Sequence, residues 1–106
     1  MNEDAARALL KRVLDFIDEI EPGSSYGIVS SDLGSEGLES FLKSNSLWGG
    51  AGSIADQAGL QSGKENRRKL ESMLIELGEF QIAEGIVNER TQVWTEVFKY
   101  WKTIMV

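Results

Sequence analysis

Residues 88–104 read NERTQVWTEVFKYWKTI, and the period of this stretch decides the fold. Val93, Trp94, Val97, Phe98, Tyr100, Trp101 and Ile104 recur at steps of three and four, which gathers them on one broad arc of a helix. Thr91, Gln92, Thr95, Glu96, Lys99, Lys102 and Thr103 fill the other arc. Asn88 stands where a side-chain cap is needed. A helix this apolar on one side must find other elements to cover it, so the rest of the chain is read as what packs against it.

Working back from Asn88, Gly85 is placed to take the left-handed conformation that ends a preceding helix. That helix carries its apolar face on Leu70, Met73, Leu74, Leu77 and Phe80, runs to Glu84, and is opened by the capping box Ser62-x-x-Glu65. Before it lies Leu47-Trp48-Gly49-Gly50-Ala51-Gly52, a glycine-rich loop, then a second box, Ser53-x-x-Asp56, opening a helical turn to Ala58. A shorter helix is expected over about residues 35–44, with Leu38, Phe41 and Leu42 as its apolar edge. Residues 23–34 are rich in turn formers and read as a loop. At the front, Leu9, Leu10, Val13, Leu14, Phe16, Ile17 and Ile20 line one side of a helix over residues 3–20. Asn2 caps it, and Glu21-Pro22-Gly23 stops it. The expected fold is all-α: a small antiparallel bundle-like domain of four main helices plus one short helical turn, spanning residues 1–106 as a single domain.

A chain of 106 residues has room for one core, and 42% apolar residues with three tryptophans can fill it. The composition also narrows the chemistry. Cysteine and histidine are both absent, which removes disulfides, thiolate nucleophiles and the commonest general base and metal ligand. Eleven basic against seventeen acidic residues leave a net charge of −6. That charge repels a phosphate backbone and favours a basic protein partner. Residues 1–44 hold most of it, at net −5 against −1 for residues 45–106. The acidic start lacks the features of an export signal, and no apolar run approaches the roughly 20 residues of a membrane span. The expected location is cytoplasmic, with no nucleic-acid and no membrane partner.

Four places break the pattern of their own element, and such breaks mark function or strain. Arg90 falls at the centre of the apolar arc of residues 88–104, where a guanidinium either snorkels from the helix end, pairs with an acid or helix carbonyls, or holds an anion beside Trp94. Gln81 lies inside the apolar stripe of its helix, so its carboxamide must find hydrogen bonds from Asn88, Arg90 or a loop carbonyl in a polar joint between the last two helices. Gly78 sits in a helix interior at a cost of about 1 kcal/mol relative to alanine, which implies that something large, a tryptophan or a neighbouring backbone, presses there. Trp48 with Gly49 and Gly50 suggests a tight hairpin that plugs an indole into the core, the alternative being an exposed indole that forms a partner hot spot.

Catalytic constellations are thin. Asp15-x-x-Asp18, Glu36-x-x-Glu39 and Glu76-x-x-Glu79 have the spacing to hold Mg2+ if two pairs faced each other. Asp15, Asp18, Glu76 and Glu79 fall on the polar sides of their helices, however, so no metal site and no cofactor is expected. Lys64, Arg67, Arg68 and Lys69 form a basic cluster that i,i+4 pairing with Glu65 and Glu71 partly neutralises. The reading that fits best is a small acidic, non-enzymatic protein-interaction module that associates with itself or masks a basic partner. Its interface is expected where the arc outruns the core, at Trp101, Ile104 and Met105. The alternative is a small anionic-ligand or nucleotide-binding or hydrolysing protein with a pocket around Trp48, Gln81, Asn88 and Arg90.

Overall fold

The computed structural model describes residues 2–25, 37–43, 48, 50 and 63–104. Four α-helices make up the described chain: α1 (Glu3–Ile20), α2 (Leu38–Lys43), α3 (Lys64–Glu84) and α4 (Glu89–Ile104). No strand occurs among the described residues, and the domain is an all-α bundle-like fold.

The helix ends follow from local chemistry. Asn2 Oδ1 accepts from Ala5 N–H at 3.1 Å and caps α1, with Glu3 and Asp4 in the first turn where the helix dipole favours acids. Beyond Ile20, Ser24 and Ser25 take helical backbone and Ser25 is buried. The Ser25 amide and hydroxyl both donate to the Asp18 carboxylate, folding the chain back over the end of α1. α2 begins at Leu38, after a non-helical Gly37, rather than at the expected residue 35; residue 44 lies outside the described residues. α3 begins at Lys64 with Gly63, φ 90°, in the N-cap position and no side-chain cap, so the helix is not opened by a Ser62–Glu65 box; Ser62 lies outside the described residues. The short helix over 53–58 and most of the 23–34 loop also lie outside them. Trp48 and Gly50, the two described residues of the glycine-rich stretch, have helical backbone where a loop was expected.

α3 ends as its sequence foretells. Gly85 adopts φ 72°, Gly85 N–H donates to Ile82 O at 3.2 Å and Ile86 N–H to Gln81 O at 3.0 Å. This is a Schellman closure, with Ile86 buried as its hydrophobic partner. Only Gly85 to Asn88 separate α3 from α4, so the two helices must lie side by side and antiparallel. Their contacts run in that sense: Gly78 meets Thr95, Glu79 meets Lys99, Ser72 meets Lys102 and Arg67 meets Trp101. α1 packs on α3 from another side, and Arg12 reaches Glu76 at 3.0 Å. The core is formed by Ala6, Leu10, Val13 and Ile17 of α1; Leu38, Phe41 and Leu42 of α2; Trp48, which precedes α3; Leu70, Leu74 and Leu77 of α3; Ile86 between α3 and α4; and Phe98 of α4.

α4 is rotated about its axis relative to the sequence expectation. Thr91 and Thr95, expected on the polar arc, are fully buried with Phe98, whereas Val93, Tyr100 and Ile104 are 59%, 64% and 61% exposed. The cause is Gly78. A Cβ there would overlap Thr95 Oγ1, so the missing side chain opens the notch that Thr95 occupies, and the close neighbour is a threonine side chain rather than the tryptophan or backbone anticipated. Thr95 tolerates burial because its hydroxyl donates to Thr91 O at 2.6 Å, four residues back.

Candidate functional site

Two features stand out: a sealed polar joint inside the fold and an uncovered apolar row outside it. The joint is built on Gln81, which faces the core from the last turn of α3 and is fully buried. Its Oε1 accepts from Trp48 Nε1 at 3.1 Å, and its Nε2 donates to Leu42 O at 2.8 Å and Ile86 O at 3.0 Å. Asn88 stands beside it. Asn88 Oδ1 accepts from Thr91 N–H at 3.0 Å and so caps α4, while its Nδ2 donates to Lys43 O at 2.7 Å. The carbonyls of Leu42 and Lys43 belong to the last turn of α2, where a helix has no internal donors of its own. Gln81 and Asn88 supply those donors from another part of the chain, so the joint ties α2, the Trp48 indole and the α3–α4 turn into one unit.

Sequence reasoning therefore located Gln81, Asn88 and a buried Trp48 but misplaced Arg90. Arg90 is exposed and no hydrogen bond or ion pair ties it to the other described residues. It does sit at the centre of the apolar arc, but the centre of burial is roughly 100° further round, one residue on, at Thr91. Gly50 is half-buried and Gly49 lies outside the described residues. With both polar atoms of the Gln81 carboxamide and the Trp48 N–H engaged internally, the joint is a packing device, and Arg90 is not part of it.

The aromatic side of α4 completes the interior. Trp94 and Phe98 have ring centroids 5.4 Å apart, Trp101 meets both edge-on at 6.3 and 6.1 Å, and Trp48 lies 6.5 Å from Phe98. Arg67, rather than Arg90, supplies the cation on an indole: its guanidinium stands 4.4 Å from the Trp101 ring. Arg67 Nε also donates to Glu71 Oε1 at 2.8 Å. Glu71 is fully buried, and among the described residues no donor reaches its Oε2. The spacing Arg67-x-x-x-Glu71 signalled the pair but not its burial, which follows from Glu71 lying on the same side of α3 as Gly78, against α4.

Outside the fold, Val93, Tyr100 and Ile104 lie in one row with the half-buried Val97, roughly 160° around α4 from the Thr91, Thr95 and Phe98 side. Of the expected interface residues, Ile104 is on this row. Trp101 is half-buried and engaged by Arg67, Trp94 and Phe98, and Met105 lies outside the described residues. A cleft of about 340 Å³ between α1 and α3 is edged by Arg12, Arg68, Lys69 and Ser72 over Met73, with Glu65 and Glu76 pairing two of its cations. No group of acidic residues with metal-ligand geometry occurs among the described residues. No described helix is long and apolar enough to cross a membrane.

Comparison with known proteins returns no match: no family model, no curated protein and no solved structure aligns with the chain.

Proposed function

We propose that this chain is a small acidic, non-enzymatic protein-interaction module that meets its protein partner through the outer face of α4. The observation that carries the reading is the row Val93, Tyr100 and Ile104, each about three-fifths exposed on a helix whose opposite side is buried in its own fold. Single exposed apolar side chains are ordinary; a row of large ones at helical spacing on one face is the signature of a surface that another chain covers. The net charge of −6 speeds encounter with a basic partner.

The test is a photocrosslinking amino acid, benzoylphenylalanine, placed at Tyr100 in the source cell, with the same substitution at Gln92, exposed on α4 away from the row, as the control. A discrete protein adduct at Tyr100 and none at Gln92 is expected. Equal labelling at the two positions, or none at either, refutes the reading.

A further inference from the structure

We infer that the cleft between α1 and α3 binds a small phosphate monoester, its phosphate held by Arg68 together with Arg12, Lys69 and Ser72. The site comes from how the structure divides the basic cluster at the start of α3. Arg67 turns toward α4, where it stands over Trp101 and donates to the buried Glu71. Lys69 turns toward α1, and its ammonium meets Glu65 at 3.7 Å, beyond hydrogen-bond distance. Arg68 lies between them and is exposed. Its i−4 and i+4 neighbours are Lys64 and Ser72, so that spacing supplies no carboxylate, and no hydrogen bond or ion pair ties Arg68 to another described residue. It borders a hollow of about 340 Å³ instead.

Charge and shape define the occupant. Arg12, Arg68 and Lys69 line the hollow against Glu65 and Glu76, and Lys102 of α4, donating to Ser72 Oγ at 2.9 Å, brings a fourth cation to its edge. Four cations against two carboxylates make this place net +2 on a chain of net −6. The Arg12–Glu76 and Lys69–Glu65 pairs are exposed, and pairs of that kind hold little against a competing dianion. A guanidinium offers its N–H groups as a fork that matches two phosphate oxygens. Arg12 has N–H groups beyond the one that Glu76 takes, and the Ser72 hydroxyl, accepting from Lys102, keeps its own proton to donate. Half-buried Met73 forms an apolar floor for the organic part of the ester. The volume lies at the lower end of the roughly 300–1,000 Å³ of small-molecule pockets. The acidic remainder of the chain repels an extended polyanion, so the occupant is small. The site is separate from the sealed Gln81 joint and from the outer row of α4, and its test does not depend on the interaction reading.

Amide NMR of the full chain near neutral pH and at low ionic strength, titrated with phenyl phosphate, inorganic phosphate or sodium chloride of equal ionic strength, tests the inference. Phenyl phosphate is expected to move the signals of Arg12, Arg68 and Ser72 with a dissociation constant of about 1 mM. Inorganic phosphate is expected to move the same signals with an affinity several-fold lower, since it lacks the ring that rests on Met73. Arg68→Ala, at an exposed residue with no partner to strand, is expected to weaken phenyl phosphate at least tenfold with an unchanged thermal midpoint. Glu76→Gln frees Arg12 and removes a like charge, and is expected to tighten binding about threefold. Equal shifts with chloride, or an affinity indifferent to Arg68→Ala, overturns the inference. Inorganic phosphate binding as tightly as the ester overturns the assignment to an ester. Weakening by Glu76→Gln, with Mg2+ moving the same signals, makes the cleft a cation site and overturns it as well.

Discussion

Gln81 makes three hydrogen bonds at a position sealed from water, and its removal strands each of its partners. Gln81→Leu leaves Trp48 Nε1, Leu42 O and Ile86 O without their mate. A loss of about 2–4 kcal/mol is expected in urea unfolding, larger than the gain from the added apolar surface, because a stranded buried donor or acceptor keeps its full desolvation cost. Gly78 is the second position where one atom matters. Gly78→Ala places a Cβ against the Thr95 side chain, whose own Cβ would be 3.2 Å away; a loss of about 1–3 kcal/mol is expected despite alanine's better helix propensity. Combining it with Thr95→Ala, which vacates the notch, is expected to recover part of that loss, so the two changes are less than additive in thermal melts. Both residues were visible in the sequence as rule-breakers on their helices. Their partners were not, since nothing local says that a notch opposite Gly78 will be filled by a threonine.

At the scale of the helices, the start of α1, the end of α3 and the start of α4 are governed by residues within a turn and were legible for that reason, whereas α3 opens at Gly63 without a side-chain cap and not at the expected Ser62-x-x-Glu65 box. Asn2, Asn88 and Gly85 each act within a turn of their own position. The fold-back after α1 adds a titrating group. Hydrogen bonds from Ser25 hold the Asp18 carboxyl below its ordinary range. A carboxyl depressed in the folded state contributes stability that is present above its unfolded pKa and is lost as the pH falls through the folded value. Ser25→Ala is therefore expected to raise the Asp18 pKa toward the ordinary aspartate value in a carboxyl NMR titration and to flatten this acid-side loss. The opposite sign applies between α3 and α4, where Glu79 and then Glu96 raise the Lys99 pKa. That contribution is complete below the ordinary lysine pKa and disappears as the pH rises through the raised one. Rotation of α4 was the part of element-scale structure that a helical wheel could not supply. The wheel centres burial on the mean of the apolar residues, at Arg90, but the apolar arc together with Thr91 and Thr95 extends over roughly 220° and the fold covers only one side of it.

For the whole molecule, the division of α4 into a covered and an uncovered side predicts which substitutions the fold feels. Ile104→Glu and Tyr100→Glu change exposed positions and are expected to move the unfolding free energy by no more than about 0.5 kcal/mol. Thr95→Glu puts a charge into the Gly78 notch and is expected to abolish cooperative melting by near-ultraviolet circular dichroism. A chain that loses stability equally at Tyr100 and Thr95 has α4 seated differently from the arrangement described. The same division separates the two sides by burial: the side facing Gly78 and Leu77 is packed into the fold, and the side bearing Val93, Tyr100 and Ile104 is exposed.

The sequence by itself determined what depends on near neighbours along the chain: all-helical character, the bounds of α1 and α4, the left-handed stop at Gly85, the caps at Asn2 and Asn88, and the need of Gln81 for buried partners. Only the tertiary structure decided which side of α4 turns inward, that Glu71 is interior, and that Arg67 rather than Arg90 lies over an indole. Caps and periods act through bonds spanning a few residues, whereas the rotation of a doubly apolar helix is set by the shape of the surface that receives it, here the gap left by one glycine on α3.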